Sequence, residues 1–405
     1  MWNWNSFAKL FAPLALCGAL TTAQEVDPKL YDPSDAVRLA AVEAIIQAGG
    51  SRAPEQLRVS CKDGSGDIQR LAVAGIVNFY LPGYVKTGVK AKFTKIGDKI
   101  VRNHTEWLLD PWITVREEDG NAILNVLRDP KSDAAKLEAA QALGILRYKK
   151  ALPDLYPLLK SKDDGLMLAA LRAVETAGDK NAAQETVFLA RDLNEKIHLR
   201  VMSIQGVFRN ENALPDLAEV FTRSRNAKSR AGAMEAIAMI ASPDSKGLFE
   251  QNLNHKETGV RAAAAEGLGR LGAADRKGDM EKLFEEEGSM RPRLGQAFAL
   301  VKFGDRSETE TSPLTYLFNT LNSIAWKDVA AAYLEELGRD ENIRIALRGK
   351  IVEATSAEKQ GLAAILGKVG GRDDKATLDA LANDKDPKVA QEGLKAAKAL
   401  NARLP

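Results

Sequence analysis

Along most of this chain an apolar residue is followed by a basic or polar one and then by an alanine-rich run. The pattern reads Val37-Arg38-Leu39-Ala40-Ala41, Leu199-Arg200, Ser229-Arg230-Ala231-Gly232-Ala233 and Val260-Arg261-Ala262-Ala263-Ala264. Copies begin at 37, 68, 101, 135, 167, 199, 229, 260, 292, 326, 358 and 389, at spacings between 30 and 34. Self-similarity at that period predicts a stack of supersecondary units. Within the second half of each unit the apolar positions step by three and four, as in Val260, Ala264, Leu268 and Leu271 or Val37, Ala41, Ala44 and Ile45. That stepping places them on one face of an α-helix.

Local signals punctuate these helices. Asp32-Pro33-Ser34-Asp35, Ser132-Asp133 and Asp384-Lys385-Asp386-Pro387 are helix starts: their oxygens can accept from free first-turn amides, and Pro fits the first turn. Gly49-Gly50, Gly144, Gly272 and Gly370-Gly371 mark expected ends. The first half of a unit holds a shorter helix with Pro near its start, as in Ala151-Leu152-Pro153-Asp154-Leu155 and Ala213-Leu214-Pro215-Asp216-Leu217. Two helices per unit predict an all-α fold, a right-handed α-solenoid of about 12 helix pairs.

The stretch Glu257-Thr258-Gly259-Val260-Arg261-Ala262-Ala263-Ala264-Ala265-Glu266-Gly267-Leu268-Gly269 resembles the HEAT repeat, particularly the short bacterial kind found in phycobilin-lyase-like proteins. Asp35 to Ala44 and Asp133 to Gly144 resemble it too, and the likeness covers most of residues 30 to 401. The resemblance implies that the Arg or Lys after the first apolar position packs toward an Asp at the previous turn or unit. It is specific for architecture only, because such solenoids serve many unrelated functions.

The pattern is least regular in two places. Within 79–128, Asp110-Pro111-Trp112-Ile113-Thr114-Val115-Arg116 offers a helix start out of step with the copies at 101 and 135, so this region is either two units or an insertion. Residues 305–325, with Ser307-Glu308-Thr309-Glu310-Thr311-Ser312-Pro313, read as a polar loop.

The N-terminus changes the expected compartment. Lys9 is followed by the apolar stretch Leu10 to Leu20 and by Thr21-Thr22-Ala23, the form of a cleaved secretory signal over 1–23, too short to span a bilayer. The mature chain is then 24–405, a single solenoid, exported to the periplasm or secreted. Leu14-Ala15-Leu16-Cys17-Gly18 is the rival, a lipoprotein signal, but Leu16 is large where that processing wants a small residue. Cleavage leaves Cys61 alone, which allows no intramolecular disulfide and reads as an inert residue beside an apolar helix. It also takes the net charge from +2 to +1, which supplies no global field for nucleic acid.

Candidate chemistry is sparse. Gly267-Leu268-Gly269-Arg270-Leu271-Gly272 has dinucleotide-binding spacing, but these glycines close a helix where that motif needs a preceding strand. His104, His198 and His255 lie far apart, and Asp63-Gly64-Ser65-Gly66-Asp67 lacks the distal Glu of a calcium loop and reads as a turn. No nucleophile motif stands out. Neither a cofactor nor a metal site is expected, and the chain is read as a non-enzyme.

One segment departs from neutrality. Tyr84 to Asn103 carries Lys86, Lys90, Lys92, Lys95, Lys99 and Arg102 against Asp98 alone, while Val85, Val89, Phe93, Ile96 and Ile100 step at helical spacing. Such a basic amphipathic segment suits an acidic protein partner, with a membrane surface second; it also fits a plain solvated helix. Trp107 and Trp112 follow, two of the three tryptophans of the mature chain, and Trp beside cations is a common interface anchor. The expected partner-binding residues are therefore Lys86, Lys90, Lys95, Arg102, Trp107 and Trp112. The expected function is an exported scaffold binding a protein or envelope component on the solenoid surface. The alternative is an accessory, lyase-like enzyme acting on a ligand held in the concave face.

Overall fold

The computed structural model describes residues 26–85, 107–178, 180–307 and 309–404. The signal segment 1–23 and most of the basic segment lie outside the described residues. Among the described residues the elements are helices only, arranged as an α-solenoid.

The second helices of the pairs are α1 (Asp35–Ala48), α2 (Gly66–Tyr80), α3 (Asp133–Ile145), α4 (Asp164–Ala177), α5 (Glu195–Val207) and α6 (Ala227–Ile240). They continue as α7 (Thr258–Leu271), α8 (Met290–Lys302), α9 (Lys327–Leu337), α10 (Ser356–Val369) and α11 (Pro387–Arg403). Shorter first helices precede them, among them Ala53–Ser60, Glu117–Arg128, Leu214–Arg223 and Lys246–Asn252. Two of the three expected starts are capped by side chains, while Ser34 before α1 makes no such bond. Ser132 Oγ accepts from the Ala135 amide, Asp386 from Lys388, and Thr355 with Glu358 forms a reciprocal capping box. Gly49 and Gly272 close their helices at φ 64 and 66. Gly144 does not close one: it lies inside α3, where its missing side chain admits the backbone of Ala173 in α4.

Burial follows the helical face. Val260, Ala264 and Leu268 are fully buried, and neighbouring pairs continue a shared core. No unit could cover its apolar face alone, so the array is stable only as a stack.

One alternative left open is decided and one expectation is corrected. The copy expected at 101 is not a unit between α2 and α3, because those two helices are direct neighbours. Gln69 of α2 donates to the Asp129 carbonyl and accepts from the Lys131 amide at 2.8 Å. Their first helices touch as well, through Arg58 and Asp119 at 2.7 Å. Residues 81–116 therefore add no second helix between α2 and α3; after residue 107 the first helix among the described residues begins at Glu117, and the described residues hold the eleven second helices named above. The polar loop expected over 305–325 is shorter. Ser312 caps a helix, Pro313–Asn319, whose Leu314, Leu317 and Phe318 are buried; the polar letters before Pro313 conceal an apolar run after it.

The recurring Arg also pairs in an unexpected direction. Arg38, Arg230 and Arg261 each donate to a carbonyl six residues back, closing the loop before their own helix, and Arg344 repeats the arrangement in the first helix Glu341–Gly349. Each then pairs with an acid of the following unit: Asp63, Glu257, Glu287 and Asp374. The resemblance implied the previous turn or unit: Arg200 meets Glu175 of the preceding unit, and Arg38 also meets Asp35 one turn back.

Candidate interaction surface

The insertion leaves and rejoins the body at one place. Before it, Tyr84 and Val85 are buried, and the Val85 amide donates to Asn78 Oδ1 at 3.0 Å. After it, Trp107 presents its ring edge-on to Tyr84, centroids 5.8 Å apart, and its carbonyl accepts from Arg172 of α4. Leu109 is buried. Its amide donates to the Ile145 carbonyl at the end of α3, and its own carbonyl accepts from Arg147 Nε, both at 2.9 Å. Helix-end carbonyls lack intrahelical donors, so the returning chain satisfies one of them.

Below this neck lies a buried acid. Tyr84 donates its hydroxyl to Glu138 of α3 at 2.8 Å. Burial raises the Glu138 carboxyl to about 7, opposed by the Tyr84 hydrogen bond and the Arg70 charge. Burial likewise pushes the Tyr84 phenol upward. Sequence reasoning missed both residues. A signal existed for Glu138, which falls among Ala135, Ala139 and Ala142 on the buried stripe of α3, where a lone acid needs a partner.

Of the expected partner-binding residues, Lys86, Lys90, Lys95 and Arg102 lie outside the described residues. Trp107 is half-buried and belongs to the neck. Trp112 is half-buried in a turn closed by the Ile113 amide on the Asp110 carbonyl. Exposed Leu108 and Ile113 flank it. A groove of about 410 Å³ runs alongside, lined by Pro111, Ile113, Val115, Leu146, Tyr148 and Thr176.

The remaining motifs have structural explanations. A Cβ on Gly267 would meet the Phe249 ring, and one on Gly269 the Ala299 backbone, so these glycines serve helix packing. Asp63 accepts from the Ser65 amide and pairs with Arg38, which uses both its oxygens. His255 accepts from the Glu257 amide. Cys61 is buried, its thiol pushed up to about 12 by burial, beside Asp119. His198 stands where other units carry the recurring Arg and receives the same contacts: the Asp192 carbonyl at Nδ1 and Ser229 Oγ at Nε2, 2.8 Å away. That pair has the spacing of a base and a hydroxyl nucleophile, yet Ser229 is 3% exposed and the same position in the next two units holds Arg230 and Arg261, paired as structural rungs.

The chain is a helical-repeat protein. No protein family model matches it, and no curated protein does. Among solved structures it is similar to an engineered protein at 15% identity, covering 92% of this chain and 97% of that one, TM-score 0.38. It is similar to human deoxyhypusine hydroxylase at 17%, covering 64% of this chain and 99% of the enzyme, TM-score 0.32. It is similar to Kap121p at 14%, TM-score 0.39, covering 91% of this chain but only 44% of that protein. At these values none of the three bears on what the chain binds or does.

Proposed function

We propose that the protein is an exported, non-enzymatic HEAT-like scaffold that docks an acidic protein through the basic segment 86–106. One observation carries the reading: both ends of that segment are seated in the core and lie against each other, Tyr84 on Trp107. A strongly basic stretch anchored at both ends on a rigid array presents its charge from a fixed point, which lowers the ordering cost of binding. The groove beside Trp112, which mixes apolar side chains with Arg147 and Lys149, would take side chains that accompany the acidic groups. Against catalysis stand the closed pairing of the recurring Arg and His positions and the burial of Ser229. Export rests on the sequence of residues 1–23, and no helix of the described residues is long and apolar enough to cross a membrane.

The test is capture from the envelope fraction with mature protein whose Lys86, Lys90 and Lys95 are changed to Glu. Capture of an acidic partner should fall in the variant, and the wild-type interaction should weaken as salt rises, since screening at about 0.15 M limits exposed charges to roughly 8 Å. Circular dichroism should be unchanged. Undiminished capture at low salt overturns the reading. N-terminal sequencing checks export: the mature chain should begin at Gln24 with no acylated Cys17.

A further inference from the structure

Most junctions between successive second helices are made by small residues. A Cβ on Gly206 would come within 3.0 Å of Ala236, one on Gly269 within 2.8 Å of Ala299, and one on Gly367 within 2.9 Å of Ala396. The junction of α8 with α9 is built differently. Helix α9 contains no glycine, and the close glycine of α8, Gly295, faces back to Ala262 of α7. The connection from α8 to the next helix also runs over 303–312, where the neighbouring connection after α7 is almost immediate.

Long polar side chains span this junction. Tyr333 of α9 stacks on Phe298 of α8, centroids 4.9 Å apart, and donates its hydroxyl past α8 to Glu266 of α7. Glu336 of α9 likewise reaches Arg270 of α7 at 3.0 Å. Arg291 of α8 ties Glu266 at 2.8 Å to Glu235 of α6 at 2.9 Å and donates to the Tyr333 hydroxyl. Lys302 lies 3.8 Å from Glu336, and both it and Arg270 sit over the Phe298 ring. Three carboxylates thus face three cations across four helices. Glu266 and Arg270 are only 5% and 9% exposed.

We propose that this network is a clasp that sets the angle of the C-terminal third, α9 to α11, against the rest of the solenoid. A glycine junction tolerates sliding, whereas buried ion pairs hold only in one geometry and fail when a single partner is lost. Packed helices joined in this way have discrete arrangements instead of a continuum. The clasp gives the molecule a joint at α8–α9 held by several coupled charged side chains, where the α4–α5 junction, also without a glycine contact, has the single pair of Arg200 with Glu175. None of its residues belongs to the docking segment or to the neck at Tyr84 and Trp107, so the two proposals fail separately.

The experiment measures the distance between nitroxides on Ser203→Cys in α5 and Lys398→Cys in α11, with both native cysteines replaced by serine. Both positions are exposed. Tyr333→Phe combined with Glu336→Gln removes the reach to α7 while keeping side-chain shape. The expected result is a change in mean distance on the order of 5 Å, or a doubled width. Glu335→Gln, at the more exposed pair with Lys368, should change nothing. An unchanged distribution in a folded double variant overturns the clasp. If hydrogen exchange shows that the double variant has lost protection across 327–403, Glu235→Gln decides. This change breaks the network at its 42% exposed end: a smaller shift in the same direction supports the proposal and no shift overturns it.

Discussion

Tyr84 and Glu138 meet at 2.8 Å with both side chains buried, and through that contact the entrance of the insertion is fastened to the middle of α3. The contact makes the neck sensitive to pH. Burial raises the Glu138 carboxyl from 4.5 to about 7 in the folded protein. A group raised on folding contributes stability that is fully present below its unfolded value and is lost as pH rises through its folded value. The neck is therefore tightest in mild acid and loosens between about 4.5 and about 7. Protection factors for the Tyr84 and Val85 amides should be higher at pH about 5 than at pH about 8. Glu138→Gln should abolish that difference; equal protection in the wild type at both pH values counts against it.

Burial predicts a second, chemical outcome at Cys61. With its thiol at about 12, only about one molecule in ten thousand carries a thiolate at pH about 8. A disulfide reagent should label Cys61 at least a thousandfold more slowly in native protein than in urea, on the order set by that fraction. Peptide mapping at Cys61 checks this, and fast native labelling would show that the helices around it open readily.

The helix pairs were legible because each second helix writes its own buried face in steps of three and four, as at Val260, Ala264 and Leu268. Gly267 and Gly269 fit that same face, and Gly272 closes the helix. What the sequence could not show is which helices touch. The start at Asp110-Pro111 looks as good as others, and only the contact of Gln69 with Lys131 reveals that nothing intervenes between α2 and α3. The clasp is hidden for a related reason. Glu235, Glu266, Arg291 and Tyr333 come from four helices, and each alone is an ordinary polar residue. Of the site, the sequence shows the charge of 86–106 but not its neck, since Tyr84 finds its partner 54 residues away.

The Arg ladder predicts unequal costs for removing similar ion pairs. Arg261 donates twice to Glu287 and once to the His255 carbonyl, with side-chain exposures of 17% and 11% for the pair. Arg261→Ala leaves a nearly buried carboxylate without its cation, held only by the Ser289 amide, and frees a loop carbonyl, which should cost about 1.5–3 kcal/mol. Lys228 pairs with Glu195 at the surface, 74% exposed, and Lys228→Ala should cost about 0–1 kcal/mol. Urea unfolding of the two variants gives the comparison; equal midpoints would mean that the ladder is decorative.

Three glycines within twelve residues should respond to the same substitution with different signs. An added Cβ at Gly267 would lie 2.5 Å from the Phe249 ring, which can shift by turning the short helix Lys246–Asn252. At Gly269 it would lie 2.8 Å from the Ala299 Cα, where the obstacle is the backbone of α8. Overpacking of this kind costs about 1–3 kcal/mol, and Gly269→Ala should fall at the upper end because a main chain yields less readily than a side chain. At Gly278, an exposed position of the helix Lys277–Glu286, a Cβ meets nothing within 4 Å. There only the helix propensity changes, and Gly278→Ala should stabilise by up to about 1 kcal/mol. Chemical denaturation with hydrogen exchange over 246–302 reads all three variants. The expected order of stability is Gly278→Ala, wild type, Gly267→Ala, Gly269→Ala. A Gly269→Ala protein as stable as the wild type would mean that α7 and α8 are not packed at the spacing that the rest of the stack depends on.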